Sequence, residues 1–286
     1  MKAQLIDGKL MSDRSKERTA RRVADFRARY GRAPGLTVII VGDDPASAIY
    51  VRNKSAGCEA TGILNRTVAL PADVSQKELE DLILSLNRDD TVDGILVQLP
   101  LPAPLDEERV LSLIDADKDV DGFHERTMGR LVQGRETIVP CTPKGAMEMI
   151  RSTGVPLSGS EAVVVGRSRV VGKPMAALLL EENCTVTQCH SRTKDLASHT
   201  CRADILVVAV GKAGFITGDM VKEGAVVIDV GINRVDGKVR GDVDFDSVSE
   251  KAGWLTPVPG GVGRMTIAML LENTVIAAER NEQRRE

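Results

Sequence analysis

Ala162-Val163-Val164-Val165-Gly166-Arg167-Ser168-Arg169-Val170-Val171-Gly172-Lys173-Pro174 is the stretch that decides the fold. Its first four residues are an apolar run of the kind a strand buried on both faces requires. Glycines then bracket a short polar turn, and the apolar, alanine- and leucine-rich run Pro174–Glu182 behind it reads as a helix. Strand, glycine turn and helix in that order make the opening of a parallel α/β sheet. Toward the C-terminus the pattern continues, with strands predicted at Thr185–Cys189, Ile205–Val210 and Ala225–Val230 and a last helix at Met265–Arg280.

The N-terminal half repeats the logic. An amphipathic helix is predicted over Asp13–Tyr30, a strand at Leu36–Val41 closed by Gly42, a helix over Pro45–Ala60 and a strand at Asn65–Leu70. A helix with a Ser start covers Ser75–Asn87, and the strand Gly94–Leu99 stops at Pro100. This is βαβαβ, so a second parallel sheet is expected. The fold class is therefore α/β with two domains, an N-terminal one over 1–140 and a Rossmann-like one over 141–264, with a cleft between them. The boundary is placed near Pro140, in the loop-like stretch Gly134–Gly145, and the charged tail Glu279–Glu286 is expected to fray.

Composition narrows the function classes. A hydrophobic share of 42% over 286 residues lets each half bury a core, and 26 Gly with only seven aromatics suit buried parallel strands. The net charge of −3 gives no basic footprint for nucleic acid. Five cysteines with no CxxC pair, and His124, His190 and His199 without metal spacing, argue against a disulfide framework and against a metal site, and favour a reducing, cytoplasmic setting. No apolar run approaches the ~20 residues of a membrane span.

The turn Gly166–Gly172 stands where a phosphate-binding loop stands, between strand and helix, where glycines admit a pyrophosphate and the helix offers free N–H groups. Its spacing departs from G-x-G-x-x-G, because Ser168 holds the second glycine's place. A plain βα turn has the same outline. The next strand ends in His190-Ser191-Arg192-Thr193, with no carboxylate for a ribose 2′-hydroxyl. With Arg167 in the loop, a 2′-phosphate meets cations and a hydroxyl, so NADP is expected over NAD. Gly166, Arg167, Ser168, Gly172, His190, Ser191, Gly211 and Ile232 are the candidate cofactor residues.

In the first half, Ser47, Tyr50 and Lys54 are spaced three and four apart and share a helix face. An aromatic platform beside an amine can hold a flat heterocycle and move a proton. Gln98 sits at the carboxyl end of a strand, where α/β sites form, and offers the amine a neutral hydrogen-bond partner. Asp121 precedes Gly122 in a turn, and Pro257-Val258-Pro259-Gly260-Gly261-Val262-Gly263 is a rigid, glycine-rich entry to a helix.

Taken together, Val41-Gly42, Pro45-Ala46-Ser47, Tyr50-Val51, Lys54, Gly94-Ile95-Leu96-Val97-Gln98-Leu99-Pro100, Lys118-Asp119-Val120-Asp121-Gly122, Pro140-Cys141-Thr142-Pro143, the Gly166–Pro174 loop, Cys189-His190-Ser191 and the Pro257–Gly263 turn resemble the bifunctional methylenetetrahydrofolate dehydrogenase/cyclohydrolase family. The resemblance implies NADP-dependent oxidation of 5,10-methylenetetrahydrofolate and hydrolysis of the methenyl product to 10-formyltetrahydrofolate. It implies that Lys54 is the catalytic lysine, that Gln98 tunes it, that Tyr50 stacks on the folate and that Asp121 grips the pterin. Ser47, Pro259, Gly260 and Gly261 complete the candidate substrate set. A homodimer and a last helix, 265–286, that returns to the first domain are implied as well. Two stretches depart from the family pattern: Arg264 stands where proline is usual, and Glu125-Arg126-Thr127-Met128 replaces a segment with Pro and Asn. Arg264 is expected to help hold the folate's glutamate tail. The competing readings are an NADP-dependent dehydrogenase of another small metabolite and a non-catalytic dinucleotide-binding regulator.

Overall fold

The computed structural model describes residues 2–286, and within them every side chain except those of residues 45–48. The elements of the first half are β1 (Gln4–Leu5), α1 (Gly8–Tyr30), β2 (Gly35–Val41), α2 (Pro45–Thr61), β3 (Leu64–Leu70), α3 (Gln76–Arg88), β4 (Gly94–Val97), α4 (Glu107–Leu113) and α5 (Glu125–Val132). Then come α6 (Cys141–Ser152), β5 (Glu161–Val165), α7 (Gly172–Glu181), β6 (Thr185–Cys189), α8 (Leu196–Thr200) and β7 (Ile205–Val208). A 3₁₀ turn at Gly218–Met220, β8 (Val226–Asp229), β9 (Asn233–Val235), β10 (Lys238–Arg240), α9 (Phe245–Ser249), β11 (Trp254–Leu255) and α10 (Val262–Arg285) complete the chain.

The chain forms two compact units, one made of Asp13–Arg130, Glu136–Cys141 and Ile267–Glu286, the other of Met1–Ser12, Leu131–Arg135 and Thr142–Thr266. Residues 1–12 thus group with the second half, although the order of predicted elements places them in a domain over 1–140.

In the first unit three parallel strands stand in the order β3-β2-β4. Central β2 and β4 are buried, and edge strand β3 is largely exposed. Helix α3 shows how sequence makes structure locally. Ser75 Oγ accepts from the N–H of Glu78 (3.2 Å) while Glu78 Oε2 accepts from the N–H of Ser75 (3.0 Å). Such a capping box satisfies two orphan donors, and the cap is worth ~1 kcal/mol. Leu79, Ile83 and Leu86 then fall on one face and fill the core with Ile39 and Ile95.

The tail does not fray. Helix α10 continues to Arg285, because its charges find partners along its length. Arg22 meets Glu279 at 2.6 Å, Arg285 meets Asp90 at 3.1 Å, and Arg284 pairs with Asp117. Arg32 bridges Asp93 (2.7 Å) and Glu282 (2.6 Å), and Asp93, fully buried, holds the guanidinium above its ordinary range. The stretch 134–145 is also less loop-like than expected, since α6 begins at Cys141. Pro143 falls in its first turn, where a missing N–H is harmless.

In the second unit six parallel strands stand in the order β1-β11-β8-β7-β5-β6. Val163, Leu206, Val227 and Leu255 line its core. An antiparallel hairpin, β9 with β10, turns at Asp236 (φ 49°) and Gly237 (φ 74°), the two-residue geometry that suits Asp-Gly. In both sheets the chain reverses its direction of travel across the sheet beside one strand, β2 in the first and β5 in the second. Ligands of open α/β sheets bind beyond the carboxyl ends of strands at such a point.

Candidate active site and cofactor loop

Helix α2 starts beyond Gly42 (φ 76°) at the carboxyl end of β2. Val51 and Cys58 turn inward, and Gly57 lies so close to α10 that an added Cβ would meet Leu271 Cδ1 at 3.0 Å. Tyr50 and Lys54, one turn apart, are left on the outer side, with Tyr50 37% exposed and Lys54 half-buried. The side chain of Ser47, the third residue of this face, lies outside the described residues.

Lys54 Nζ donates to Gln98 Oε1 at 3.0 Å. The backbone N–H of Gln98 donates to Ile39 O (2.8 Å), which fixes the residue at the end of the sheet. Its Nε2 donates to Leu99 O at 2.8 Å, so the amide has a single orientation and its oxygen faces the amine. A neutral acceptor orients a lysine without locking its proton in an ion pair, as a carboxylate at the same distance would.

Asp121 reaches the same end of the sheet. Asp119 pairs in parallel with Ile95, and Ile95 N–H donates to Lys118 O (2.8 Å), so this segment runs beside β4 toward Gln98. Burial pushes the Asp121 carboxyl above its ordinary value, while the Lys54 charge and the Cys141 thiol pull it back. Gly122 (φ 78°) turns the chain so close to Pro140 that a Cβ there would meet Pro140 N at 2.8 Å.

Two buried polar residues support this turn with no role assigned from the sequence alone, although Asp119 lies within the motif Lys118–Gly122. Asn273 Nδ2 donates to Val120 O (3.0 Å) and Val139 O (2.9 Å) and so ties both arms of the turn to α10. Its only signal in the sequence is an amide inside the apolar run of the last helix. Asp119 accepts from the N–H groups of Gly122 (3.1 Å) and His124 (2.7 Å), and burial pushes it up to about 7.

In the second unit, Gly166 (φ 137°) follows β5 and Gly172 opens α7. A Cβ on Gly172 would meet the N of Arg167 at 2.7 Å, so only glycine lets the loop fold back on the helix start. Ser168 Oγ accepts from the N–H groups of Val171 (3.1 Å) and Gly172 (3.3 Å), in place of the expected glycine. Arg167, Ser168, Arg169 and Ser191 are exposed and His190 is half-buried. Val165 pairs with Cys189, and Gly166 N–H donates to Cys189 O (2.9 Å), so Arg167 and Ser191 leave from adjacent strand ends. The cationic and hydroxylic side chains around a glycine-lined loop fit a dinucleotide with an additional phosphate. Gly211 (φ 66°) and Ile232, 49% exposed, follow β7 and β8 at the same edge.

Pro259, Gly260 (φ 112°) and Gly261 belong to this second unit, just before α10. Arg264 is exposed in the first turn of α10, and its N–H donates to Gly261 O at 3.2 Å. Proline at this position would therefore cost a hydrogen bond, where a first-turn N–H is ordinarily without a partner. Among the described residues, no group of His, Cys, Asp or Glu is arranged to hold a metal ion.

Comparison with known proteins places both halves of the chain in one family. A family model for the tetrahydrofolate dehydrogenase/cyclohydrolase catalytic domain matches residues 6–121, and one for the NAD(P)-binding domain of the same proteins matches residues 140–282. The bifunctional protein FolD of Dechloromonas aromatica (strain RCB) is 57% identical over 281 residues, which covers 98% of this chain and 99% of the relative. The crystal structure of the bifunctional FolD methylenetetrahydrofolate dehydrogenase/cyclohydrolase from Campylobacter jejuni superposes with a TM-score of 0.95 at 48% identity, covering 97% of this chain and 99% of that one. The Trypanosoma brucei enzyme, solved with NADP cofactor and inhibitor, gives 0.94 at 40% identity, with 99% of each chain covered. With both of its halves matched, the chain belongs to the tetrahydrofolate dehydrogenase/cyclohydrolase family.

Proposed function

We infer that this protein oxidises 5,10-methylenetetrahydrofolate to 5,10-methenyltetrahydrofolate with NADP and hydrolyses the methenyl product to 10-formyltetrahydrofolate. The observation that carries the reading is the Lys54–Gln98 pair, 3.0 Å apart, at a strand end that Asp121 also reaches. Bound NADP supplies the hydride acceptor. The Arg167 and Ser191 side chains hold its 2′-phosphate, Ser168, Gly172 and His190 shape the bed beside Gly166, and Gly211 and Ile232 complete it.

Tyr50 stacks on the folate, and Asp121 accepts the paired N–H donors of the pterin. Ser47 and the turn 259–261 add substrate contacts, and Arg264 meets the glutamate tail. In the hydrolytic step, water adds to the methenyl carbon and Lys54 takes its proton. That proton then goes to the folate nitrogen as its bond to the carbon opens, while the new hydroxyl gives up its own proton to solvent and becomes the carbonyl of the formyl group left on the other nitrogen. Gln98 keeps the amine aimed without sequestering its proton. The catalytic residues thus lie within 1–140, and cofactor binding, together with the turn 259–261, within 141–264.

A homodimer in the cytoplasm suits the family and the cysteine usage. Among the described residues, no helix is long and apolar enough to cross a membrane. A spectrophotometric assay of methenyl-folate formation with NADP and with NAD tests the whole reading. Formation with NADP and decay of the product in water are expected. Reduction of NADP only with an unrelated metabolite, or no reduction at all, would replace it with one of the two competing readings.

A further inference from the structure

Beyond the cofactor loop itself, one buried carboxylate organises the neighbouring strand end. Asp242 is completely buried, and among the described residues no cation is paired with its carboxylate. Its Oδ2 accepts from the N–H groups of Val210 (2.6 Å) and Gly211 (2.9 Å). Its Oδ1 accepts from the N–H of Lys212 (2.8 Å) and from Asn233 Nδ2 (2.9 Å). Three consecutive backbone N–H groups turned toward one point form an anion-binding nest. Here the nest is filled by the protein's own carboxylate.

Asp229 stands behind it. Its carboxylate accepts from the N–H groups of Gly231 (2.9 Å), Asp242 (2.9 Å) and Val243 (3.0 Å). The main chain adds to the knot, since Asp242 O accepts from Ile216 N–H (3.1 Å) and Gly241 O from Gly214 N–H (3.1 Å). Glycine is required at the crossing, because a Cβ on Gly231 would meet the backbone N of Asp242 at 2.5 Å. The two carboxylates thus bind together the chain after β7, the chain after β8 and the return from the β9–β10 hairpin.

The loop held in this way touches the phosphate loop. A Cβ on Gly166 would meet the Ala209 carbonyl carbon at 3.1 Å and Ala209 Cβ at 3.5 Å. Ala209 in turn precedes the residues whose N–H groups Asp242 holds. The knot therefore sets the path of the chain at the switch point, beside the strand end that offers the dinucleotide its bed.

We propose that Asp242, backed by Asp229, is a positioning residue for NADP, fixing residues 209–212 and the chain through Ile232 against the cofactor without touching it. The inference rests on the cofactor placement given under Proposed function. It also explains the division of labour among the N–H groups at this edge. Those at 210–212 are already engaged, as are those of Gly166 and Val171, so the phosphates are left to the N–H groups of residues 167–170.

The bifunctional chemistry supplies an internal control, because hydrolysis of methenyl-folate consumes no NADP. Asp242→Asn keeps the size and one acceptor oxygen, but turns an NH₂ group toward the N–H groups of the nest. The KM for NADP should rise roughly tenfold or more, as for a lost charge-assisted bond, with kcat changed much less and hydrolysis unchanged. Asn233→Ala removes a single donor to Asp242 and leaves the nest intact, so the same shift should appear in smaller form, about two- to fivefold. This second variant carries the test if the first fails to fold. Equal losses of dehydrogenase and hydrolase activity would make Asp242 a general stability element, and an unchanged KM for NADP in both variants would overturn the proposal. Wild-type protein that reduces no NADP would instead refute the functional reading and leave the loop geometry without a cofactor to position.

Discussion

The two switch points of the molecule share a strand order and use it in opposite ways. In one unit β2 lies between β3 and β4, and in the other β5 lies between β6 and β7. After β2 the turn is Gly42-Asp43-Asp44-Pro45, which places exposed carboxylates at the start of α2. A phosphate would be repelled there, and the proposed chemistry falls further along the helix, at Tyr50 and Lys54. After β5 the turn carries Arg167 and Arg169, and Lys173 follows at the start of α7. There the helix start carries exposed cations, and on the proposed reading these, not side chains further along the helix, meet the ligand. On the proposed reading, the same topology yields a proton-transfer site or an anion site according to the charges in a turn of a few residues.

The sharpest way to break this comparison is Lys54→Met. Hydrolysis of methenyl-folate should fall by about 10²–10⁴-fold while NADP affinity, measured by calorimetry, stays as it was. A loss of NADP affinity would mean that the first switch point also serves the cofactor. Arg167→Ala should do the reverse. It should weaken NADP by about ten- to a hundredfold, leave NAD nearly untouched and spare hydrolysis. Parallel losses for both nicotinamide cofactors would remove Arg167 from the 2′-phosphate. Asp121→Asn replaces an acceptor with a donor, so folate KM should rise by roughly tenfold with NADP binding unaltered. Unchanged folate affinity in a titration would reduce Asp121 to a turn residue.

The smallest effect concerns Asp119, which burial pushes up to about 7 from an ordinary value of 3.8. Between those values the folded chain keeps a proton that the unfolded chain has lost. Its contribution to stability is therefore fully present below the unfolded value and lost as pH rises through about 7. Asp119→Asn should flatten the Tm-against-pH curve between about pH 4 and about pH 7. A slope equal to wild type would assign the pH response elsewhere.

The regular elements of both sheets are legible because their signals are local. The apolar runs Leu36–Val41 and Ala162–Val165 lie within observed strands, Thr185–Cys189 coincides with one, and Ser75 caps the helix it announces. What escapes a reading of the sequence is set by distant contacts. Strand β1 exists only because Gln4 and Leu5 pair with Trp254 and Leu255, which no local pattern signals. The tail reads as a charged, fraying end until Arg32, Asp93 and Asp117 are brought beside it. The β9–β10 hairpin is a different case, since Asp236-Gly237 is a local signal that the strand-and-helix pattern overshadows. At the site, Lys54, Gln98 and Asp121 are legible through motif and strand end. Asn273, Asp229 and Asp242 are not, and Asp119 is seen only as part of a motif, because a buried polar residue looks like any surface one until its backbone partners are known.

The division of the chain also has a consequence for synthesis. The first unit needs Ile267–Glu286, which reach the ribosome's exit after every residue of Thr142–Thr266. Asn273 and Glu282, which tie down Val120 and Arg32, are among those late residues. Vectorial synthesis usually lets the N-terminal domain fold first. Here the order is inverted: the dinucleotide-binding unit has all its segments in hand while the unit that holds most of the first half still waits for its last helix, and for that interval the nascent chain must keep Leu79, Ile83 and Ile95 from wrong partners.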